Sequence, residues 1–470
     1  MIGSDTTERR PGIFASMREA IVGTQQDFTE GSLGRAILLL AAPMVLEMCM
    51  ESLFGVVDVF WVAKLGSDAI TTVGLTETVL TILFSIALGL GMAATAMVAR
   101  RIGEKDQAGA GVVAAQALAV GLIVSIVTGV LGFFFAPHLL GLMGASDNVI
   151  RIGANYTRVI LSGSVTIFMI FLINAVFRGA GDATTAMRAL WIANAVNICL
   201  NPLLIFGIGP FPRLGVTGSA VGTTIGRGVG VLFQLWMLTS GRGRVRVRRS
   251  QMRIDFDVMM RLVRLSLGGT FQYLVQMASW IGVVRIMSAF GSAAVAANTL
   301  GIRIVVFAIL PSWGMSNAAA TLVGQNLGAG KPERAERAVW RTGFYNMLFL
   351  GVVGIVFITF AGPIVRVFTS DPAVVPLAID CLRYLSYGYL SYAYGMVVVA
   401  GFNGAGDTLT PTVLNIIAFW ACEIPVAYVL AFPAGMGPRG VFISVVVGDS
   451  LLALLAILWF RRGRWKRRMV

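Results

Sequence analysis

Apolar stretches of roughly 20 residues or more recur along the chain, divided by short polar runs, and each is long enough to cross about 30 Å of hydrocarbon as a helix. The pattern predicts about twelve spans. Six fall at roughly 36–63, 70–99, 109–136, 150–176, 183–208 and 215–239, and six at roughly 258–289, 293–323, 337–361, 375–401, 408–432 and 438–460. The polar stretch from Met1 to about Arg35 has no apolar core followed by a cleavage site, so no cleaved signal peptide is expected.

The second six spans repeat the first. "FRGAGD" at Phe177–Asp182 returns as "FNGAGD" at Phe402–Asp407, 225 residues later. The same offset relates Leu65–Ser67 to Phe290–Ser292, Gly103 to Gly328, Gly215 to Gly440, Val216 to Val441 and Ser219 to Ser444. The chain therefore reads as two copies of one six-span unit: a first lobe over 1–240, a basic linker over 241–257, and a second lobe over 258–470. Six is even, so both copies enter the membrane in the same direction, and a substrate site is expected where the lobes face each other.

Composition agrees. Of 470 residues only 13% are charged, against about 25% in a soluble domain, and the mean hydropathy is +0.81. The fold class is all-α and polytopic. The net charge of +14 does not point to nucleic acid, because the basic residues cluster between spans, as in "GRGRVRVRRSQMR" and the tail "RRGRWKRRMV". Such clusters hold loops in the cytoplasm, whereas "KLGSD" and "ASDNV" on the opposite side are nearly free of them. Both termini are thus expected inside, in a cell (inner) membrane. Cys49, Cys199, Cys381 and Cys422 lie in apolar runs and read as free thiols.

Several polar residues interrupt the spans. Glu47, Glu51 and Asp58 share one stripe of the first, since 100° per residue returns them to nearly the same face. A charge at a helix centre costs roughly 3 kcal/mol on insertion scales, so this stripe should not face lipid. It could exchange protons during transport, or form a polar seam satisfied by backbone or by an arginine of another helix. Asn197 and Asn201, four apart, put two amides on one face of the fifth span. "YLSYGYLSYAYG" holds Tyr389 and Tyr392 among five tyrosines, either an aromatic wall for flat cations or interfacial belt residues. Glu77 and Arg303 are read as buried charges that could pair across the lobes. Gly179, Gly181, Asp182, Gly404, Gly406 and Asp407 are expected to be structural, the glycines for tight turns and the aspartates as helix caps. Asp380, Glu423 and Asp449 have no acidic counterpart in the first copy, and Gln276 stands where the first copy has Glu51. His138, the single histidine, falls at an outer loop, and no phosphate loop, zinc spacing or nucleophile triad is present.

The chain resembles the MATE (multidrug and toxic compound extrusion) family of secondary transporters. The motifs are "APMVLEMCMESLFGVVDVFWVAKLGS", "FRGAGD", "NAVNICLNPLLIFG", "LGVTGSAVGT", "LVGQNLGAGK" and "FNGAGD", in that order over about residues 30–460. The resemblance implies a two-lobed, twelve-helix antiporter, not an enzyme, that exchanges cytoplasmic organic cations or other amphipathic compounds for H⁺ or Na⁺. It places the coupling site at Asp58 with Asn197, Asn201 and Thr223, and acids of one family branch at the positions of Gln276 and Tyr392. Some members carry an aspartate at the position of Asn201, and its absence favours H⁺ over a tight Na⁺ site at Asp58. No cofactor and no bound metal are expected. Drug-like compounds and membrane lipids are the expected partners, and the chain is expected to act as a monomer. The alternative is a lipid or lipid-linked oligosaccharide flippase of the related superfamily, against which the acidic first lobe argues.

Overall fold

The computed structural model describes residues 13–23 and 26–468, and among them there is no strand. A short helix, α1 (Ile13–Val22), precedes the first membrane crossing; residues 1–12 of the polar amino-terminal stretch lie outside the described residues. The first lobe crosses with α2 (Leu33–Ala63), α3 (Ser67–Gly103) and α4 (Gln107–Leu142). The pair α5 (Asp147–Ser162) and α6 (Ser164–Gly179) follows, then α7 (Ala183–Phe206) and α8 (Val216–Ser240). The second lobe repeats this order. Its crossings are α9 (Phe256–Ser288), α10 (Ser292–Gly328), α11 (Pro332–Phe368) and the pair α12 (Val375–Tyr387) and α13 (Tyr389–Gly404). The eleventh is α14 (Leu409–Asn415), a π-helical stretch Ile416–Glu423 and α15 (Ile424–Ala431), and α16 (Pro438–Arg461) is the twelfth.

Among the described residues, nine helices are individually long and apolar enough to cross a membrane. The other three crossings are α8, rich in glycine and threonine, α9, which carries arginines, and the α12–α13 pair, whose members are short. Lipid-facing surfaces are apolar: Ile123, Val127, Val130 and Phe134 of α4, and Leu348, Val352 and Ile355 of α11, are all exposed. A patch of that size would be untenable in water.

The fourth and tenth crossings are expected as single rods, but each is broken, the first at Gly163 and the second at Gly388, positions related by the repeat. Crowding explains the break. A β-carbon on Gly163 would lie 2.8 Å from Thr224 of α8, and one on Gly388 would lie 3.1 Å from Val446 of α16, so the sixth helix of each lobe packs into the bend.

The lobes meet through four helices arranged about a pseudo-twofold axis. Gly89 of α3 lies against the backbone of α9, where a β-carbon would come 2.7 Å from Ser266 O. Its counterpart, Gly314 of α10, lies against α2, 2.7 Å from Met44 O. The final glycines of α3 and α10 reciprocate: a β-carbon on Gly103 would be 2.0 Å from Gln325 O, and one on Gly328 would be 2.1 Å from Arg100 O. This exchange of identical contacts closes the molecule at the end that holds its basic loops.

At that end, residues 26–31 form a strap between the lobes. Asp27 pairs with Lys105 of the first lobe at 3.0 Å. Lys331 donates to Thr29 O, and Arg334 to Glu30 O and Gly31 O, all from the second lobe. Arg244, in the connection between lobes, donates to Gln26 O. Burial acts against ionisation of Asp27, but hydrogen bonds from the Thr29 hydroxyl and amide, with the Lys105 ammonium, outweigh it and hold the carboxyl at about 2.

Gly103→Ala is expected to cost roughly 1–3 kcal/mol through overpacking, read as a lower thermal midpoint of the detergent-purified protein. Gly74→Ala, where a β-carbon meets nothing within 4 Å, is expected to leave that midpoint unchanged.

Candidate functional site

The acidic stripe of α2 is divided between two environments. Glu47, near the closed end, is 1% exposed. Its Oε1 accepts from Arg178 Nη1 at 3.0 Å and from Asn174 Nδ2 at 3.1 Å, both on α6. Gln234 of α8 donates to Asn174 and completes the set. Glu47 is thus held in an ion pair by an arginine of another helix, and the structure does not bring it to Asp58. Glu51, one turn on, accepts from Asn194 Nδ2 at 3.4 Å and faces the space between the lobes.

Asp58 lies where α2, α7 and α8 converge. Its Oδ1 accepts from Asn201 Nδ2 at 2.7 Å and from Ser219 Oγ at 2.8 Å. Asn201 Nδ2 also donates to Asn197 Oδ1 at 3.1 Å, and Asn197 Nδ2 donates to Thr223 Oγ1 at 2.8 Å. The four residues implied together at this site are therefore joined in one hydrogen-bonded chain. Glycines of α8 make the room, since a β-carbon on Gly222 would stand 2.3 Å from Asn201 Oδ1 and one on Gly226 would stand 3.0 Å from the Asn197 side chain. No ion pair reaches Asp58 among the described residues; Arg227 of α8 acts on it only through space. The oxygen Asn201 Oδ1 is buried without a donor.

Between the lobes is a cavity of about 370 Å³. The first lobe contributes Glu51, Met92, Phe171 and Arg178; the second contributes Tyr273, Gln276, Trp313 and Tyr392. Asp58 is not part of its lining, so the carboxyl at the helix junction and the cavity are separate places.

Two expectations need correction. Tyr389 does not line the cavity. It is 3% exposed and packs in the second lobe's core against Phe357 of α11; three residues on along α13, Tyr392 is the one of the five tyrosines that lines the cavity. Tyr394 instead stacks on Trp340. Glu77 and Arg303 are exposed rather than buried, neither lines the cavity, and no ion pair joins them among the described residues; the Arg303 charge reaches Glu77 only through space.

The repeated turns are built alike. Gly181 and Gly406 both adopt φ of +81°, a left-handed geometry that favours glycine. Gly179 and Gly404 press on Thr95 O of α3 and Ala320 O of α10, again positions related by the repeat. Asp182 caps α7 by accepting from the Thr185 amide at 3.2 Å, and Asp407 accepts from Thr410 Oγ1 at 2.8 Å and from Arg468 at 3.3 Å. Asp380 pairs with Arg439 at 2.7 Å, while Glu423 is buried beside Asp449 of α16.

Sequence reasoning did not single out Arg178, Asn174, Asn194 or Gln234, and it noted Ser219 only as a repeat anchor. Arg178 was findable, being the one residue at which the two hexapeptides differ.

The MatE family profile matches residues 43–203 and 269–429, one stretch in each lobe. A probable multidrug resistance protein, YoeA of Bacillus subtilis (strain 168), is 26% identical over 450 residues, 95% of this chain and 97% of its own. A probable multidrug resistance protein, NorM of Thermotoga maritima, is 27% identical over 448 residues, 93% of this chain and 94% of its own. A solved structure described as the outward-facing conformation of a multidrug resistance MATE family transporter superposes with a TM-score of 0.87 at 27% identity, covering 94% of this chain and 98% of that one. Both lobes, their order and their mutual packing are accounted for, and the chain belongs to the MATE family of membrane transporters.

Proposed function

We propose that this transporter exports amphipathic organic cations from the cytoplasm in exchange for protons, with Asp58 as the group that binds and releases the proton. The observation that carries the reading is the chemistry around that carboxyl. Its hydrogen-bond donors, Asn201 and Ser219, are neutral, so it can take a proton without breaking an ion pair. Glu47 differs: protonating it would leave the Arg178 guanidinium buried without its counter-charge.

In the proposed cycle a cation enters the cavity from the cytoplasm and packs against Tyr273, Trp313 and Tyr392, with Glu51 as its counter-charge. A proton arriving from outside neutralises Asp58, loosens α2 from α7 and α8, and favours release outward. Loss of that proton to the cytoplasm restores the inward-open form. The basic loops gathered at one end support a cytoplasmic placement of that end and of both termini, in a cell membrane. One observation favours Na⁺ as a second reading: Asn201 Oδ1, free of any donor, could join Asp58 as a ligand.

In proteoliposomes, Asp58→Asn is expected to remain folded and inserted yet to lose efflux of a fluorescent cation driven by an imposed proton gradient. Full efflux by that variant would remove Asp58 from the mechanism, and efflux driven by a sodium gradient alone would transfer coupling to the second reading.

Glu47→Gln is expected to act on stability instead. Breaking a buried ion pair costs about 3–5 kcal/mol, so its thermal midpoint should fall well below that of Asp58→Asn. Equal midpoints for the two variants would contradict the division between an ion-paired and an exchangeable acid.

A further inference from the structure

Beside the cavity the first lobe holds the Glu47–Arg178 ion pair, whose arginine joins the lining. Moving 225 positions along the chain from Glu47 gives Gln272, and from Arg178 gives Asn403. The second lobe therefore places two uncharged carboxamides, on α9 and α13, where the first places a bonded acid and base. Asn415, the last residue of α14, adds a third beside them on the same cavity wall.

These three residues are 6%, 5% and 3% exposed. No side-chain hydrogen bond reaches any of them among the described residues, and the carboxamide oxygens of all three are buried without a donor. Carboxamides serving only as interhelical glue would bond to one another or to backbone, as Asn346 does with Ser312 and Ala393 O in the same lobe. A buried acceptor left unpaired costs about 1–3 kcal/mol, and here three such acceptors belong to residues that line one cavity. A bound molecule toward which these carboxamides turned would recover that cost.

The chemistry of the wall narrows the class of molecule. The charged groups of the cavity, Glu51 and Arg178, are in the first lobe; the second lobe offers hydrogen bonds without charge. A carboxamide presents a donor and an acceptor side by side, which complements the edge of a lactam or imide, where N–H and C=O are also adjacent. Tyr273, Trp313 and Tyr392 supply flat faces on which a ring can stack.

We propose that Gln272, Asn403 and Asn415 form a specificity subsite for planar, uncharged heterocycles bearing a lactam or imide edge, so that this transporter takes neutral ring systems as well as cations. The proposal deepens the transport reading and rests on it for the cavity's role, but not on the coupling ion or on Asp58.

Equilibrium dialysis of the purified full-length protein tests it without any gradient. The probes are lumichrome, a neutral tricycle with an imide edge; its 1,3-dimethyl derivative, which keeps the rings and loses both ring N–H groups; and ethidium, a cation without such an edge. Lumichrome is expected to bind at least about tenfold more tightly than the methylated form, because a site built around a hydrogen bond rejects a ligand that cannot make it. Asn403→Leu and Asn415→Leu are each expected to weaken lumichrome about tenfold while ethidium affinity stays within about twofold, which also reports that the variants are folded. Gln272→Met, close in shape, serves if either leucine variant aggregates. Equal affinity for lumichrome and its methylated form overturns the proposal, as does a parallel loss of ethidium in folded variants. Binding of ethidium but not lumichrome overturns it while leaving the transport reading standing; binding of neither overturns both.

Discussion

Hydrocarbon does not tolerate a bare charge, and the arrangement of this protein follows from how it meets that constraint. The acidic stripe of α2 could not be left facing lipid. Placing α2 against α6, α7 and α8 turns the stripe inward, where two solutions are used on one helix. Glu47 is neutralised by a guanidinium, and Asp58 is solvated by an amide and a hydroxyl. The first arrangement fixes a charge in place. The second holds the carboxyl with neutral donors only, so a change in its charge breaks no ion pair, as the proposed proton exchange requires.

Duplication supplies the frame in which these choices operate. Glycine pairs at related positions let α3 meet α9, α10 meet α2, and α3 meet α10 at backbone contact. In a membrane, where lipid is as apolar as the helices, such close approach is the main source of association. The frame is symmetric and the chemistry is not. Where one lobe holds an ion pair, the other holds carboxamides, and where one has Glu51 the other has Gln276. Divergence of the polar residues within a shared backbone is how one cavity acquires two unlike walls.

Much of this was legible in the residues. Apolar length gave the crossings, a constant offset gave the duplication, and helical spacing put Asn197 and Asn201 on one face, where they meet Asp58. What stayed hidden depended on rotation and on small displacements. The fourth helix of each lobe reads as a single span, so nothing local announces the break at Gly388, and a spacing of three cannot say which of Tyr389 and Tyr392 meets the cavity and which the core. Glu77 and Arg303 suggested a pair because each looks out of place in its span, but sequence cannot say whether two such residues come within bonding distance. Arg178 was overlooked for a different reason: a near-perfect repeat draws the eye to what matches, while the mismatch with Asn403 marks where the lobes differ in chemistry.

The strap at residues 26–31 sets a mechanical condition on the transport cycle. It is fastened to the first lobe by Asp27 and to the second by Lys331 and Arg334, so its contacts are compatible only with lobes that are close at that end. Parting the lobes there stretches the segment until one fastening lets go. Because the strap runs directly into α2, and Thr184 and Arg188 of α7 also hold the end of α1, the amino-terminal arm stays with the first lobe, and the contacts of Lys331 and Arg334 are the ones that let go.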